Sequence, residues 1–182
     1  MISGLPSREQ AINILRKNNC PLKVISHCQT VADLALEIAK KIQCNGLQVD
    51  LKLVEAGALL HDMGRSKTHL VDHGVVGGQI AKSEGLPQPL INIIKRHVGG
   101  GITAEEAERF GWPKDVYTPM TLEEKIVSYA DKLTDKSKRV PIDLEIERLQ
   151  VEHKDAAERV RKLHEEMTAL LGKEYDDLNI AR

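Results

Sequence analysis

The chain has 182 residues, enough for one well-filled core and short for two, and its 26 lysines and arginines nearly balance 27 aspartates and glutamates to give a net charge of −1. That balance supplies no overall field toward nucleic-acid backbones or anionic lipid, and 3% aromatic residues cannot furnish a stacking platform for single strands. With 41% hydrophobic and 29% charged residues the chain is neither disordered nor fibrous.

The expected partner is therefore a small molecule, with neither long nucleic acid nor membrane. No stretch reaches ~18 consecutive apolar residues, the first residues do not have a signal-peptide pattern, and Cys20, Cys28 and Cys44 form no CxxC pair, so a cytoplasmic setting is expected.

Helix punctuation recurs along the chain and strand alternation does not, which predicts an all-α protein. A capping box at Ser7 and Gln10 opens a helix over 7–18. The next, over 22–43, carries the stripe His27, Val31, Leu34, Ile38, whose steps of four, three and four place a histidine on an apolar face. A third, over 50–62, ends in His61-Asp62 just before Gly64. A carboxylate in a last helical turn faces the negative end of the dipole, a mismatch of ~0.3–1 kcal/mol that a bound cation would reverse.

Helices over 73–84 and 87–98 follow. Gly74, Gly77, Gly78 and Ala81 make a small-residue stripe on the first, read as close helix packing because no strand precedes it as in a phosphate-binding loop. Capping boxes at Thr103 with Glu106 and at Thr121 with Glu124 open helices over 103–110 and 121–134. The latter bears Asp131, off the centre of the stripe Leu122, Ile126, Tyr129, Leu133. Gly85 and Gly111 are the expected C-terminal caps.

After Pro141 a charged, glycine-poor stretch predicts one long helix over 142–171. Its apolar positions, Ile142, Ile146, Leu149, His153, Ala156, Val160, Leu163, Met167 and Leu170, step by four and three. Such a seam packs on its own domain or forms a homodimer contact. We divide the chain into a helical domain, 1–140, and a C-terminal helix and tail, 141–182, packed on it.

His27, His61-Asp62 and Asp131 form an ordered H…HD…D signature. On these residues, with Gly57 through Arg65 and Glu124 through Lys132 as the two motif segments, the chain resembles the HD-domain superfamily of metal-dependent phosphohydrolases over residues 20–135. The resemblance implies a compact helical bundle with a long C-terminal amphipathic helix. It also implies a metal set of His27, His61, Asp62 and Asp131, to which His73 and His97 add the extra ligands of the dinuclear branch. Within that branch the chain is most similar to bacterial hydrolases that cleave diadenosine tetraphosphate symmetrically, although they commonly carry Lys where this chain has Arg65.

The chemistry of the residues agrees. Imidazole and carboxylate without thiolate suit Fe, Mn, Co, Ni or Zn. Two such ions bridged by Asp62 would serve hydrolysis of a phosphoester or phosphoanhydride. Asp62, Arg65 and Lys132 are the catalytic candidates, the two cations as phosphate clamps.

His69 is read as an outlying residue, and His153 and His164 as uninvolved. Trp112, Tyr117 and Tyr129 are the candidate base-stacking residues. A mononuclear nucleoside monophosphatase and a non-catalytic metal- and nucleotide-binding regulatory module are the competing readings.

Overall fold

The computed structural model describes residues 4–172 and is built almost wholly of helices. They are α1 (Arg8–Lys17), α2 (Leu22–Cys44), α3 (Leu51–Leu60), α4 (His73–Ser83), α5 (Gln88–Arg96), α6 (Ala104–Arg109), α7 (Leu122–Lys132), α8 (Ile142–Glu152) and α9 (Lys154–Leu171). Short 3₁₀ turns cover Met63–Ser66 and Val98–Gly100. All three capping boxes are formed: the hydroxyls of Ser7, Thr103 and Thr121 accept from the backbone three residues on, and the Gln10, Glu106 and Glu124 side chains reach back. Gly85 and Gly111 take φ of +71° and +68° behind α4 and α6.

Apolar periodicity decides which helices lie inside. On α3, Leu53, Val54, Ala56, Gly57, Ala58, Leu59 and Leu60 are all buried, so this helix lacks a solvent stripe along most of its length. It packs against α1, α2, α5 and α7. The core between them holds Leu34, Ile38, Ile42, Leu59, Leu60, Ile94, Ile126 and Tyr129.

Helix α4 lies on α5 at short range, because a Cβ at Gly74 or Gly77 would come within 2.9 or 2.8 Å of the Val98 or Ile94 side chain. The small-residue stripe serves packing behind the site.

Three features differ from the sequence expectation. The chain expected as one helix over 142–171 is two, broken at His153, whose φ of −150° and ψ of 77° are extended. The two pieces pack together, and α9 also lies against α2 and α7. Ile146, Leu149, Ala156, Val160, Leu163 and Met167 of the seam are buried within the chain, Leu171 replaces Leu170 as the last buried leucine, and His153 is exposed. Residues 173–182, the tail of the C-terminal region, lie outside the described residues.

Second, a hairpin appears after α7: β1 (Thr134–Asp135) pairs antiparallel with β2 (Lys138–Arg139). Third, Tyr129 is fully buried, its hydroxyl 2.9 Å from His164 Nδ1, so it cannot form a base-stacking wall. No helix among the described residues is long and apolar enough to cross a membrane.

Candidate metal centre

Five elements meet at one point. His27 comes from the second turn of α2, His61 and Asp62 from the turn ending α3, His73 from the start of α4, His97 from the end of α5, and Asp131 from the last turn of α7. The structure brings together all six residues singled out as ligands. His61, Asp62, His73 and His97 are 0–4% exposed. Four imidazoles and two carboxylates are expensive to bury without charge compensation.

The tautomers follow from the hydrogen bonds. Each Nδ1 lies against a backbone carbonyl, which can only accept: His27 on Lys136, His61 on Ala58 and His73 on Leu70 at 2.7 Å, and His97 on Ile94 at 2.9 Å. Each Nδ1 therefore carries a proton, and all four Nε2 atoms are left to point inward. This is how metal-binding histidines are held.

The carboxylates complete a two-sided arrangement. Asp62 Oδ1 is 3.2 Å from His73 Nε2 and 3.5 Å from His97 Nε2, while its Oδ2 is 3.9 Å from His61 Nε2 and 4.0 Å from His27 Nε2. Asp131 Oδ1 is 3.1 Å from His27 Nε2 and 3.4 Å from His61 Nε2. One oxygen of Asp62 thus faces each histidine pair.

Two observations test whether a cation fits. His61 Nε2 and Asp62 Oδ1 are buried without a hydrogen bond of acceptable geometry, although polar atoms stand within 3.5 Å of each. In addition, His73 and His97 approach Nε2 to Nε2 at 3.1 Å, so with both Nδ1 protons committed two lone pairs meet. Divalent cations on either side of Asp62 would resolve both, with His27, His61 and Asp131 on one side and His73 and His97 on the other.

Protonation is arranged to match. Burial alone would raise the Asp62 carboxyl, but the His61, His73 and His97 rings gathered around it hold it well below the ordinary carboxylate range. Burial likewise opposes ionisation of Asp131, and the Lys132 ammonium and the His27 and His61 rings overcome it. Burial drives His97 down to about 4, which keeps it neutral. His27 moves the other way: burial is the largest single influence and lowers it, but the bond to Asp131, the charges of Asp131 and Asp62 and the Lys136 carbonyl together raise it.

Arg65 and Lys132, read from the sequence as phosphate clamps, are each engaged with a ligand carboxylate. Arg65 Nε donates to Asp62 Oδ2 and Lys132 Nζ to Asp131 Oδ2, each at 2.6 Å. Among the described residues the terminal guanidinium nitrogens of Arg65 meet no protein partner, and Arg65 borders a cavity of about 650 Å³. His27, Asp62 and Asp131 reach this cavity, whereas His73 and His97 lie behind it. His69 is exposed at its edge.

Its outer wall comes from residues that the sequence did not single out: Lys23 of α2, Lys136 of the hairpin, and Leu144, Glu145 and Arg148 of α8. No spacing signal marks these residues, because a turn and a distant helix bring them together. Trp112 and Tyr117 pack into a separate small cluster with Val98 and Ile102 and do not line the cavity. Cys20 and Cys28 are buried beside the site, and burial pushes both thiols up, which leaves them inert as nucleophiles.

Comparison with known proteins places this architecture. The HD-domain family model matches residues 24–135, and the chain belongs to the HD-domain family. It is 44% identical over 166 residues to an uncharacterized protein of Methanocaldococcus jannaschii, covering 90% of this chain and 98% of that one. It is also 37% identical over 179 residues to a tRNA (cytidine(56)-2′-O)-methyltransferase of Picrophilus torridus, covering 98% of this chain but 51% of that one. The chain therefore spans about half the length of the methyltransferase relatives it matches.

Among solved structures it is similar to the HD domain of the L. monocytogenes phosphodiesterase PgpH, with a TM-score of 0.53 at 20% identity over 90% of this chain and 99% of that one. The same domain in complex with cyclic-di-AMP gives a TM-score of 0.54. At that identity the likeness is one of fold.

Proposed function

We propose that the protein is a metal-dependent phosphohydrolase that cleaves a phosphoester or phosphoanhydride of a small nucleotide. One observation carries the reading: four Nε2 lone pairs and two ionised carboxylates converge on a buried point that opens on one side to a cavity. Structural metal sites are closed, whereas a centre that admits a reactant must be open.

His27, His61, Asp62 and Asp131 would hold one ion and Asp62, His73 and His97 the other, with Fe, Mn, Co, Ni or Zn suited to these donors. A bound pair of divalent ions supplies an acidified water and neutralises charge at phosphorus. The protein's own part is orientation. Lys132 occupies Asp131 Oδ2 and so turns Oδ1 inward. Arg65 braces Asp62 through Nε, and its terminal nitrogens are available for a nonbridging phosphate oxygen.

Retention of a complete donor set supports turnover over a purely regulatory module, which needs no open ligand face. The two-sided arrangement around Asp62 supports two ions over the single ion of a nucleoside monophosphatase. The names of the relatives widen the range of substrates worth assaying: dinucleoside polyphosphates from the motif resemblance, cyclic dinucleotides from PgpH, and RNA-derived nucleotides from the tRNA methyltransferases. The deciding experiment measures metal content per chain alongside phosphate or nucleotide release from that panel. Turnover by metal-loaded protein, lost on chelation and restored by added metal, is the expected result, and a fully loaded protein inert on every substrate would overturn it.

A further inference from the structure

The hairpin after α7 turns through Lys136 and Ser137, because Asp135 pairs with Lys138. Two-residue hairpin loops need a positive φ, usually from glycine, asparagine or aspartate. Here Lys136 adopts φ of +55°, a conformation that L side chains adopt rarely. A hairpin that only had to reverse the chain would do better with glycine.

What the lysine does instead is visible at both of its ends. Its carbonyl accepts from His27 Nδ1 at 2.7 Å, and Ser137 Oγ, 2.8 Å from Ser26 Oγ, ties the same turn to α2. Its side chain is exposed and lines the cavity. Of the other cations there, Lys132 and Arg148 are paired with Asp131 and Glu145, Arg65 is paired with Asp62 through Nε, and Lys23 of α2 also lines the cavity. Among the described residues no carboxylate lies within ion-pair distance of the Lys136 ammonium. Residues 136–148 also lie beyond the stretch that matches the family model.

We propose that Lys136 serves the centre twice: its carbonyl positions His27, and its ammonium binds a phosphate of the substrate other than the one being hydrolysed. The inference rests on the phosphohydrolase reading and narrows its substrate class to nucleotides with at least two separated phosphates, such as a 5′-phosphorylated dinucleotide. A nucleoside monophosphate would leave this charge unanswered.

Two substitutions separate the roles. Lys136→Gly keeps the backbone free to adopt positive φ and removes the ammonium, whereas Lys136→Val removes the ammonium and also resists that conformation. Five readings are taken on each: melting temperature, metal content and affinity, the His27 tautomer in metal-free protein by ¹⁵N NMR, equilibrium affinity for a phosphorothioate-linked pApA that turns over slowly, and the ratio of kcat/KM on pApA to that on bis(p-nitrophenyl) phosphate, which has one phosphorus.

Lys136→Gly is expected to keep two ions, the tautomer and an undiminished melting temperature, while pApA affinity and the kcat/KM ratio both fall about ten-fold or more, the scale of one charge-assisted hydrogen bond. Lys136→Arg should restore most of that loss. Lys136→Val should in addition weaken one ion by roughly 10–100-fold, as loss of a ligand's hydrogen-bond partner does, and scramble the tautomer.

Unchanged pApA affinity in Lys136→Gly would remove the phosphate role. Loss of the tautomer in Lys136→Gly, or its retention with wild-type metal affinity in Lys136→Val, would remove the positioning role. Should the parent protein bind metal yet hydrolyse nothing, the phosphohydrolase reading fails while the tautomer and binding measurements still decide this inference.

Discussion

At the closed end of the centre, His73 and His97 are aimed by the carbonyls of Leu70 and Ile94, three residues earlier in the same segment. His61 uses the same device with Ala58. At the open end, His27 depends on a carbonyl 109 residues away in sequence. Local aiming is built as soon as the helix end forms, whereas remote aiming requires α7, the hairpin and α2 to have docked. The closed end is thus a property of secondary structure and the open end a property of the tertiary fold, and it is the open end that faces the cavity.

Asp62 is the residue the two ends share, so it offers the hardest break. Asp62→Asn should release ion from both sides and reduce turnover well beyond the ~10–100-fold typical of outer-shell changes, with helicity preserved in circular dichroism. Wild-type turnover by this variant would refute the catalytic assignment. Substitutions confined to one end should be milder. His73→Ala and His97→Ala are expected to leave one ion per chain by elemental analysis, held by His27, His61 and Asp131; two ions in both variants would dismiss the dinuclear arrangement.

Arg65 sharpens the comparison from the cavity side. Arg65→Ala should lower kcat/KM by roughly ten-fold to over a hundred-fold, the cost of a charge-assisted contact, when measured at saturating metal, because the brace on Asp62 is lost with it. Arg65→Lys should be only mildly impaired, since it keeps the charge and loses the two-pronged geometry. If Arg65→Ala matched the parent, the phosphate clamp would have to be sought at Lys132.

Acidification should separate the two ends without mutation. A raised His27 pKa means that protons compete with metal there from near neutrality downward, whereas His97, down at about 4, resists protonation until far lower pH. Dialysis at stepwise lower pH should therefore remove metal in two stages, the first from the open end. Loss of both ions in a single step would contradict the asymmetry.

How much of this could be read from the chain depended on range. The capping boxes at Ser7, Thr103 and Thr121 are four-residue patterns whose partners are adjacent, and all three formed. The ordered signature of His27, His61-Asp62 and Asp131 pointed to residues that the structure gathers at one place. The break at His153 was hidden because the four-and-three stepping of apolar residues continues through it without glycine or proline nearby. The hairpin escaped notice because two residues per strand are too few to show alternation. Tyr129 was misread as a base-stacking candidate because an aromatic side chain with a polar tip suits a binding wall and a satisfied core position equally well. Its partner His164 lies on a helix far away in sequence.

Gly64 follows the His61-Asp62 pair by two residues, and a Cβ there would lie 1.9 Å from the His73 carbonyl oxygen and 2.7 Å from the Gly77 nitrogen. Main chain therefore touches main chain between the turn that carries two ligands and the helix that carries a third. The spacing of the ligands is set there by a part with no side chain to exchange. In a library randomised over residues 57–66 and selected for activity, buried neighbours such as Leu59, Leu60 and Met63 should accept other apolar residues as the core repacks around them. Position 64 should return glycine alone, so that tolerance to mutation is narrowest at a residue that itself contributes no donor atom.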